Sequence, residues 1–411
     1  MRILFVVPYF PSLIRVRPHN LIRQLHSRGH EVVVLTTWTE EKERLEAEEL
    51  RRHSSELIAP HLATWRSLWN CMLALPSEVP LQSVYSWNPE ALARCQLVTH
   101  GGKNHRKFDI VHVEHLRGAR YGLAIKSSLS RCNSGAPIIW DSVDCISQLF
   151  RQAAKEGSSR LGRWLTGFEL RRTERYEGWL LGQFDKVLVT SVVDKAALQS
   201  LVPRASNPGG IAVLPNGVDL DYFGPNGRLP RSPASLVLSG KMSYHANVTM
   251  AVRFVAEVLP QIWARRPDVE LWIVGKDPTR EVRSLARHPR IIVTGTVPDM
   301  RPYLQTATLA VAPLVYGAGI QNKILESMGC ATPVVATPQA VSALDTVSGQ
   351  DLLVAQGAEE FAKVVLGMLE NPSLRKQVGE AGRRYVETHH DWARITDQLE
   401  EVYDDAIRSA S

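Results

Sequence analysis

The chain has 411 residues, of which 44% are apolar and 22% are charged. These proportions are typical of folded soluble domains and exclude a disordered or fibrous chain, and the length predicts two or three domains. Lysine and arginine number 48 against 42 aspartate and glutamate residues, a net charge of +6. Because no dense basic run is present, a nucleic-acid partner is not expected, whereas a polyanionic substrate or an acidic membrane surface fits this balance.

The cysteines and the apolar runs predict a cytoplasmic protein. Five cysteines form no Cys-x-x-Cys pair, which argues against a disulfide framework or a zinc ribbon. The apolar run Ile3–Val7 is followed by Pro8 and falls short of the ~7–15 residues of a signal sequence. No run approaches the ~18 apolar residues of a spanning helix. Any membrane contact is therefore expected to be peripheral, on the inner face.

Short runs of valine, isoleucine and leucine recur along the chain, with helical stretches between them. Continuous apolar runs are typical of strands buried on both faces, and their alternation with helices predicts parallel sheets. The predicted strands are Ile3–Val7, Val32–Leu35, Ile110–Val113, Pro137–Trp140, Val187–Thr190, Ile211–Leu214, Leu236–Ser239, Leu271–Val274, Ile291–Thr294, Leu309–Pro313 and Pro333–Ala336. Helical periodicity is clear over Asn247–Trp263, and the acidic-rich Glu40–Arg52 is typical of a solvated helix.

A stretch dense in glycine and proline at 222–233 predicts a linker between two domains. We expect a first domain over 1–222, a linker over 223–234, a second domain over 235–388, and a helix over 389–411 that packs back on the first domain. The fold class is α/β, with two doubly wound, Rossmann-like parallel-sheet domains facing a central cleft. Ligands of such sheets bind at the carboxyl ends of the strands.

The segment 312–335 carries the strongest indication of a ligand site. A strand is followed by a loop with Gly317 and Gly319 and then by a helix. Glycines let backbone N–H groups approach a ligand, and a helix N-terminus offers free donors and a positive dipole, which together favour a phosphate. Lys323 in the first turn opposes the dipole unless an anion lies nearby, and Glu326 on the same face suits ribose hydroxyls. The alternative is a solvated Lys–Glu pair on a surface helix.

Several short motifs in the second half occur in a fixed order, and together they resemble those of retaining GT-B glycosyltransferases. The motifs are Asn216-Gly-Val-Asp219, Ser239-Gly-Lys241, Ile273-Val-Gly275, Thr294-Gly-Thr-Val297, Lys323-x-x-Glu326 with Gly329, and Pro333-Val-Val335. The most similar group is the large bacterial one of mannosyl-, glucosyl- and N-acetylglucosaminyltransferases, of the family 4 type. The resemblance is strong over 205–385 and rests mainly on strand pattern over 1–200.

The resemblance implies a nucleotide-sugar donor site in the second domain. The diphosphate would lie on Gly240 and Lys241 with added charge from Lys323, the ribose on Glu326 and the base on Val297. Loop amides would cap the phosphates or the donor sugar, and they belong to Gly319, Ile320 and Gln321. Fixed cations and amides stabilise a departing diphosphate without a metal. No metal or other cofactor is therefore expected, and UDP is expected in preference to GDP as the donor nucleotide.

The chain departs from the family pattern at two positions. A second glutamate usually lies eight residues before the ribose glutamate, where this chain has Ala318. A second lysine usually follows the glycine of the first strand, where this chain has Asn247 at the nearest position, and Lys323 is expected to supply the missing charge. The Gly-x-x-x-Lys-x-x-Glu pattern that begins at Gly319 resembles that of a subgroup of exopolysaccharide-type sugar transferases.

The first domain is expected to hold the acceptor. Arg15, Arg17 and His19 follow the first predicted strand and precede a helix. There they would meet an anionic acceptor or the donor phosphates. The alternative interpretation is that these three residues lie in a solvated loop and bind no ligand.

The candidate catalytic residues follow two strands of the first domain. Where the family often has a histidine, this chain offers His112, Glu114 and His115, with Glu114 at the best-aligned position. The two-residue strand period puts His112 and Glu114 on one face and argues against a metal pair. A second strand brings Asp141 and Asp144 to the same edge. Because transfer in this group is thought to use the donor's own phosphate as the base, no strong protein base is required.

Two further features have structural explanations as well as functional ones. Asp219-Leu-Asp221 spells the manganese signature of the other main glycosyltransferase fold, but an Asn-Gly turn capped by aspartates accounts for it. The segment 151–175 carries seven basic and three acidic residues interleaved with Leu161, Trp164 and Phe168. This composition fits either peripheral contact with anionic lipid or a helix with one solvated side.

The sequence therefore predicts a retaining, metal-independent glycosyltransferase that moves a sugar from a nucleotide-diphosphate sugar to a hydroxyl acceptor, which is a glycan, a lipid-linked molecule or a small molecule. Two alternatives stay open. A nucleotide-sugar epimerase of the same fold would use acid–base groups such as His112, Glu114, Asp141 and Asp144. A non-catalytic nucleotide-sugar-binding subunit would explain Ala318. A phosphorylase is not expected, because no lysine site for pyridoxal phosphate is recognisable.

Overall fold

The protein is described by a computed structural model over residues 1–12, 15–100, 107–131, 135–156, 160–202, 210–225, 230–317 and 319–410, without the side chains at 99–100 and 153–165. The chain forms two compact units. The first comprises Met1–Pro215 and Trp392–Ser411, and the second comprises Asn216–Asp391. The chain therefore leaves the first unit after Pro215, builds the second, and returns to the first with its last helix.

The first unit is built on a parallel sheet. Over the described residues this sheet has seven strands in the order β3-β2-β1-β4-β5-β6-β7. The strands are β1 (Arg2–Val6), β2 (Glu31–Leu35), β3 (Glu56–Ile58), β4 (Ile110–Glu114), β5 (Ile138–Val143), β6 (Lys186–Val189) and β7 (Ile211–Val213). The helices between them are α1 (Val16–Ser27), α2 (Glu41–Arg52), α3 (Thr64–Ala74), α4 (Leu81–Tyr85), α5 (Pro89–His100), α6 (His115–Arg131), α7 (Ile146–Glu156), α8 (Arg160–Leu180) and α9 (Val192–Gln199).

The second unit repeats this plan with a smaller sheet. Its described strands number six, in the order β10-β9-β8-β11-β12-β13. They are β8 (Ser235–Ser239), β9 (Glu270–Val274), β10 (Ile291–Gly295), β11 (Leu309–Ala312), β12 (Val334–Ala336) and β13 (Leu353–Val354). The helices are α10 (His245–Arg253), α11 (Leu259–Trp263), α12 (Arg280–Leu285), α13 (Arg301–Thr306), α14 (Asn322–Gly329), α15 (Pro338–Val341), α16 (Gly357–Glu370) and α17 (Pro372–His389), with a π-helical turn (Phe254–Val258) between the first two.

The last helix, α18 (Trp392–Ala410), belongs to the first unit. Its apolar face is buried with residues of β1, β2 and α1 in one core cluster. At the helix surface, Arg28 donates hydrogen bonds to Asp397 and Glu400, and His30 also pairs with Glu400. The helix expected over 389–411 therefore begins at Trp392 and completes the core of the first unit.

The structure confirms the predicted fold of two Rossmann-like parallel-sheet domains. Each predicted strand is present, with bounds that differ by one residue at most except in β5, which continues to Val143. The edge strands β3 and β13 were not predicted, because two or three residues are too few for an apolar run. The predicted linker 223–234 lies within the second unit, and its residues 226–229 are outside the described residues. No described helix is long and apolar enough to cross a membrane.

Candidate functional site

Each sheet has a point at which the strand order reverses, and ligands of doubly wound sheets bind beyond the carboxyl ends of the strands at this point. In the first unit the reversal lies between β1 and β4, and in the second unit it lies between β8 and β11. The loops that follow these four strands carry most of the predicted site residues. Each reversal is therefore a candidate site within its own unit.

In the second unit, the chain after β8 is fixed by a close backbone approach. Gly240 and Gly275 have φ angles of +143° and +152°, which favour glycine. A Cβ atom on Gly275 would lie 1.8 Å from the carbonyl oxygen of Gly240. The Gly240 N–H also donates to the carbonyl oxygen of Val274 at 3.0 Å. Two glycines of the predicted motifs are therefore required by the path of the chain at this edge.

Lys323 of α14 reaches across the reversal to the first turn of α10, the helix that follows β8. Its Nζ donates to Oδ1 of Asn247 at 2.5 Å, and Nδ2 of Asn247 donates to the carbonyl oxygen of Lys241 at 3.0 Å. A Cβ atom on Gly240 would lie 3.5 Å from this Nζ. The ammonium group is therefore held over Gly240 by an uncharged partner. The side chain of Lys241 itself is exposed.

Lys323 and Glu326 are both half-buried on α14. Burial lowers the pKa of Lys323 to about 8, although the nearby carboxylate of Glu326 opposes this. Burial raises the pKa of Glu326 to about 7, and the ammonium of Lys323 opposes that shift. Within the described part of the chain, the Glu326 side chain accepts no hydrogen bond. Both groups therefore have unused capacity for a polar ligand.

The loop before α14 presents backbone donors to the same edge. Gly319 has a φ of +68°, and α14 begins at Asn322 without a side-chain cap from Gln321. The first N–H groups of a helix have no partner within the helix. Ile320 lies in this loop and is buried. Ala318 lies outside the described residues.

Val297 occupies the same sheet edge two strands from β8. It follows β10 and is partly buried against the core of the second unit. The strand β9 separates β10 from β8. The structure thus groups Gly240, Lys241 and Lys323 tightly, and it places Val297 farther along the edge.

In the first unit, a tyrosine and a glutamate meet across the reversal. The Tyr9 hydroxyl, after β1, donates to Oε1 of Glu114, the last residue of β4, at 2.7 Å. Oε2 of Glu114 is buried and has no hydrogen-bond partner in the described residues. Burial, together with the charge of Asp141, raises the pKa of Glu114 to about 8. This shift favours the protonated form of Glu114 at neutral pH.

Asp141 is the centre of a buried network beside Glu114. Nε of Arg17 donates to Oδ2 of Asp141 at 2.8 Å, and Nη1 of Arg17 donates to the carbonyl oxygen of Pro215 at 3.1 Å. Nε2 of His112 lies 3.5 Å from the same carboxylate oxygen, and its Nδ1 lies 2.9 Å from the hydroxyl of Tyr403. Burial raises the pKa of Asp141, but Arg17 and His112 outweigh burial and bring this pKa down to about 2. Burial lowers the pKa of His112.

The other two candidate catalytic residues have structural contacts of their own. His115 begins α6 with a φ of +65°, and its carbonyl oxygen accepts from Nε1 of Trp140 at 3.3 Å. Burial, with a further effect of Arg117, lowers the pKa of His115 to about 3. Asp144 accepts from Oγ1 of Thr190 at 3.2 Å. Burial and the charge of Asp194 raise the pKa of Asp144 to about 7.

The three residues predicted for the acceptor side have different surroundings. Arg17 is buried against Asp141, and His19 is buried with its ring edge-on to His53. Arg15 is exposed, and its guanidinium lies 4.7 Å from the centre of the Tyr9 ring. Arg15 is therefore the one exposed side chain of the three, and its guanidinium also donates to the carbonyl oxygen of Phe10 at 3.2 Å and lies 3.4 Å from Oε1 of Glu43.

Sequence reasoning missed two residues of these edges. Tyr9 lies two residues after the predicted strand Ile3–Val7, and this position was an available signal. Tyr403 lies 291 residues from its partner His112, so nothing local in the sequence links the two.

Two other predicted features are seen in part. Oδ1 of Asp219 accepts from the backbone N–H of Tyr222 at 3.0 Å, as in the predicted turn. Of the segment 151–175, the side chains at 153–165 lie outside the described residues. Of the remainder, Arg151 is paired with Glu174.

Two family models match the chain. Residues 14–217 match the model described as a glycosyl transferase 4-like domain, and residues 233–371 match the model described as glycosyl transferases group 1. This chain belongs to the group 1 glycosyltransferases with the GT-B fold. The resemblance read from the sequence motifs is thereby confirmed.

Curated relatives match this group 1 glycosyltransferase over part of their length. It is 30% identical over 217 residues to phosphatidyl-myo-inositol mannosyltransferase of Mycobacterium tuberculosis. The aligned part covers 48% of this chain and 55% of the relative. It is 27% identical over 252 residues to D-inositol 3-phosphate glycosyltransferase of Nocardiopsis dassonvillei, covering 56% and 58%. The matched part thus spans about half the length of these relatives.

Solved structures share the fold at low identity. Sucrose-phosphate synthase from Thermosynechococcus elongatus has a TM-score of 0.70 at 18% identity, with 100% of both chains covered. Alr3699/HepE of Anabaena, in complex with UDP and glucose, has a TM-score of 0.66 at 13% identity, with 98% of this chain and 100% of that chain covered. At these identities the likeness shows the GT-B fold alone.

Proposed function

We propose that this group 1 glycosyltransferase moves a sugar from a nucleoside diphosphate sugar to a hydroxyl group of an acceptor. The observation that carries the proposal is the ammonium of Lys323, held over Gly240 at the strand reversal beside the loop that precedes α14. Negative charge grows on the departing diphosphate during transfer, and preorganised cations and N–H donors stabilise that charge. The unused capacity of Lys323 matches this requirement.

In the proposed donor complex, the diphosphate lies between Gly240 and the amides of Gly319, Ile320 and Gln321. Lys323 contacts it directly, and the exposed Lys241 adds charge from the rim. Glu326 accepts the ribose hydroxyls, and Val297 contacts the base. Because lysines and amides supply the positive charge, transfer is expected to need no divalent cation.

The proposed reaction is a transfer with retention. The bond between the anomeric carbon and the diphosphate oxygen breaks, and a bond to the acceptor oxygen forms on the same face of the sugar. The acceptor proton passes to the diphosphate, so no protein base is required. The first unit binds the acceptor, with Arg15 as its exposed cation, and His112, Glu114, His115 and Asp144 shape the surroundings of the acceptor hydroxyl. The acceptor class is a glycan, a lipid-linked molecule or a small alcohol.

The donor nucleotide is proposed to be UDP rather than GDP. One relative, from Corynebacterium glutamicum, is named as a GDP-mannose-dependent mannosyltransferase, at 26% identity over 216 residues. The test must therefore include both nucleotides. Titration calorimetry with UDP, GDP, UDP-glucose and GDP-mannose, each with and without EDTA, measures the preference directly.

The proposed role of Lys323 is tested by comparing two lysine variants of the same unit. Lys323→Ala should weaken nucleotide binding by roughly 10–100-fold, because a charge-assisted hydrogen bond contributes about 1.5–3 kcal/mol. Lys363→Ala on α16 is the control, because its side chain is exposed and makes no hydrogen bond or ion pair within the described residues. Equal affinity in the two variants would contradict the proposed donor site.

Product analysis separates the alternatives. Release of nucleoside diphosphate with a new glycoside supports transfer. Interconversion of the donor sugar alone supports an epimerase, and tight nucleotide binding without turnover, across a panel of hydroxyl acceptors, supports a non-catalytic subunit.

A further inference from the structure

Helix α3 turns its large apolar side chains outward. Trp65, Leu68, Trp69, Met72 and Leu73 are between 48% and 66% exposed. Their spacing of three and four residues puts them on one stripe of the helix. A surface helix of a folded domain normally buries such a stripe, so α3 has the reverse arrangement.

The inward-facing side chains of α3 are small or polar, and hydrogen bonds hold them to neighbouring segments of the first unit. Asn70 donates hydrogen bonds to the carbonyl oxygens of Val84 and Trp87, and the Cys71 thiol donates to that of Leu81. Ser67 and Ala74 are buried on the same face. The orientation of α3 is therefore fixed by specific contacts, and the apolar stripe faces solvent because of them.

Helix α8 widens the apolar stripe. Phe168 and Trp179 of α8 are also exposed, and Trp179 lines a groove together with Trp69 and Leu73. Arg172 of α8 donates to the carbonyl oxygen of Ala74, which ties the end of α3 to α8. We call the stripe together with Phe168 and Trp179 the α3 surface.

The rim of the α3 surface is positively charged. Arg66 is the only ionisable side chain on α3 that is charged at neutral pH. Arg120 and Arg171 are exposed beside the two grooves that border the surface. The nearby acids are already paired, Glu78 with Arg175 and Glu169 with Arg172. The remaining charge of the rim is therefore positive.

We propose that the α3 surface docks this protein on an anionic lipid bilayer. Tryptophan, leucine and methionine on one face with arginines at the edge are the composition of a helix that lies in the membrane interface. Anionic headgroups attract each nearby arginine by about 1 kcal/mol. A second copy of the chain would present the same positive rim, so charge complementarity favours lipid. This proposal does not depend on the donor site.

The proposed surface differs from the membrane segment expected at 151–175. Of that segment, Phe168 and Arg171 belong to the α3 surface or its rim. Arg172 is buried, with its guanidinium bound to Glu169 and to backbone carbonyls. Most apolar side chains of the α3 surface come from α3, a segment for which the sequence analysis made no prediction.

Vesicle co-sedimentation tests the proposal on the full chain. Vesicles of phosphatidylcholine with phosphatidylglycerol should bind the protein, and vesicles of phosphatidylcholine alone should bind it at least tenfold more weakly. Binding should fall as salt is added, because the headgroup attraction is screened. Absence of binding to the anionic vesicles would overturn the proposal.

A matched pair of leucine variants locates the contact. Leu68→Ser on α3 should weaken vesicle binding about tenfold, since it removes one buried leucine from the lipid contact. Leu45→Ser on α2 is the control, because Leu45 is 68% exposed against 61% for Leu68 and lies in the same unit. Both variants should keep the thermal midpoint of the parent, because neither side chain is in the core. Equal vesicle binding by the two variants would refute the assignment.

Tryptophan fluorescence distinguishes lipid from a second copy. Brominated phosphatidylcholine mixed with phosphatidylglycerol should quench the parent, and the double variant Trp65→Phe, Trp69→Phe should lose most of that quenching. Sedimentation velocity without vesicles should give the same species for the parent and Leu68→Ser. A dimer that Leu68→Ser dissociates would assign the surface to a second copy and overturn the proposal.

Discussion

The two strand reversals occupy the same place in their sheets, but their polar groups are used differently. In the first unit, Arg17, Asp141, His112 and Tyr403 contact one another and are buried. In the second unit, Lys323 is held by one amide oxygen. The difference teaches that a position at the carboxyl edge is not enough to make a binding site. Charged groups that pair with one another, as Arg17 and Asp141 do, stabilise the fold, whereas an ammonium held by a neutral amide keeps hydrogen-bonding capacity for a ligand.

The first prediction concerns the buried network and has the largest expected effect. Asp141→Asn should lower the free energy of unfolding by about 3–5 kcal/mol, because it leaves the buried guanidinium of Arg17 without its countercharge. Urea unfolding measures this. Asp268→Asn is the control, since the Arg266–Asp268 pair is largely exposed and should cost less than about 1 kcal/mol. If the two variants lost equal stability, the network would not have the structural role assigned to it.

The second prediction concerns the backbone contact beneath Lys323. Gly275→Ala should destabilise the second unit by roughly 2–4 kcal/mol and weaken nucleotide binding, because the new Cβ atom displaces the carbonyl of Gly240. Gly367→Ala inside α16 is the control, since a Cβ there meets no atom within 4 Å. That control should be stabilising by about 0.5–1 kcal/mol. Thermal unfolding measures the loss of stability, and calorimetry measures the loss of nucleotide affinity. Unchanged nucleotide affinity in Gly275→Ala would show that this backbone contact does not shape the proposed donor site.

The third prediction is the pH dependence of donor binding, which has the smallest expected effect. Affinity for a UDP-sugar should be highest between about pH 7 and pH 8. Below this range Glu326, with its pKa raised by burial to about 7, is protonated and is a poor acceptor for ribose hydroxyls. Above it Lys323, with its pKa lowered by burial to about 8, loses its charge.

Calorimetry in buffers of different ionisation enthalpy checks the sign of the linked protons. Binding should take up protons above pH 8, because the diphosphate favours charged Lys323, and should release them below pH 7, because the ribose favours ionised Glu326. Lys323→Ala should abolish the alkaline limb, and Glu326→Gln should abolish the acidic limb. A proton exchange of the opposite sign in either range would be inconsistent with the proposed contacts.

The strands of both sheets could be predicted because parallel strands are buried on both faces and read as continuous apolar runs. Part of the proposed donor site could also be predicted, since Gly240 and Lys323 belong to short local motifs. The contact of Lys323 with Asn247 joins residues 76 apart in the sequence, and only the fold brings them together. The network around Asp141 was out of reach for the same reason.

The outward stripe of α3 shows a different limit of sequence analysis. Periodicity reveals that Trp65, Leu68 and Trp69 share one face, but it does not say whether that face points to the core or to solvent. The direction is decided by Asn70 and Cys71, whose hydrogen bonds fasten the opposite face. Such contacts depend on the positions of α4 and the loop after it.

The return of α18 to the first unit bears on how the protein is made. On the ribosome, residues 216–391 must emerge before Trp392 and Tyr403 can join the core begun by β1. At ~5–20 residues per second this takes roughly 10–35 s. During that interval the apolar surface that α18 later covers is open to other nascent chains and to chaperones. The domain that starts to fold first is therefore the one that finishes last.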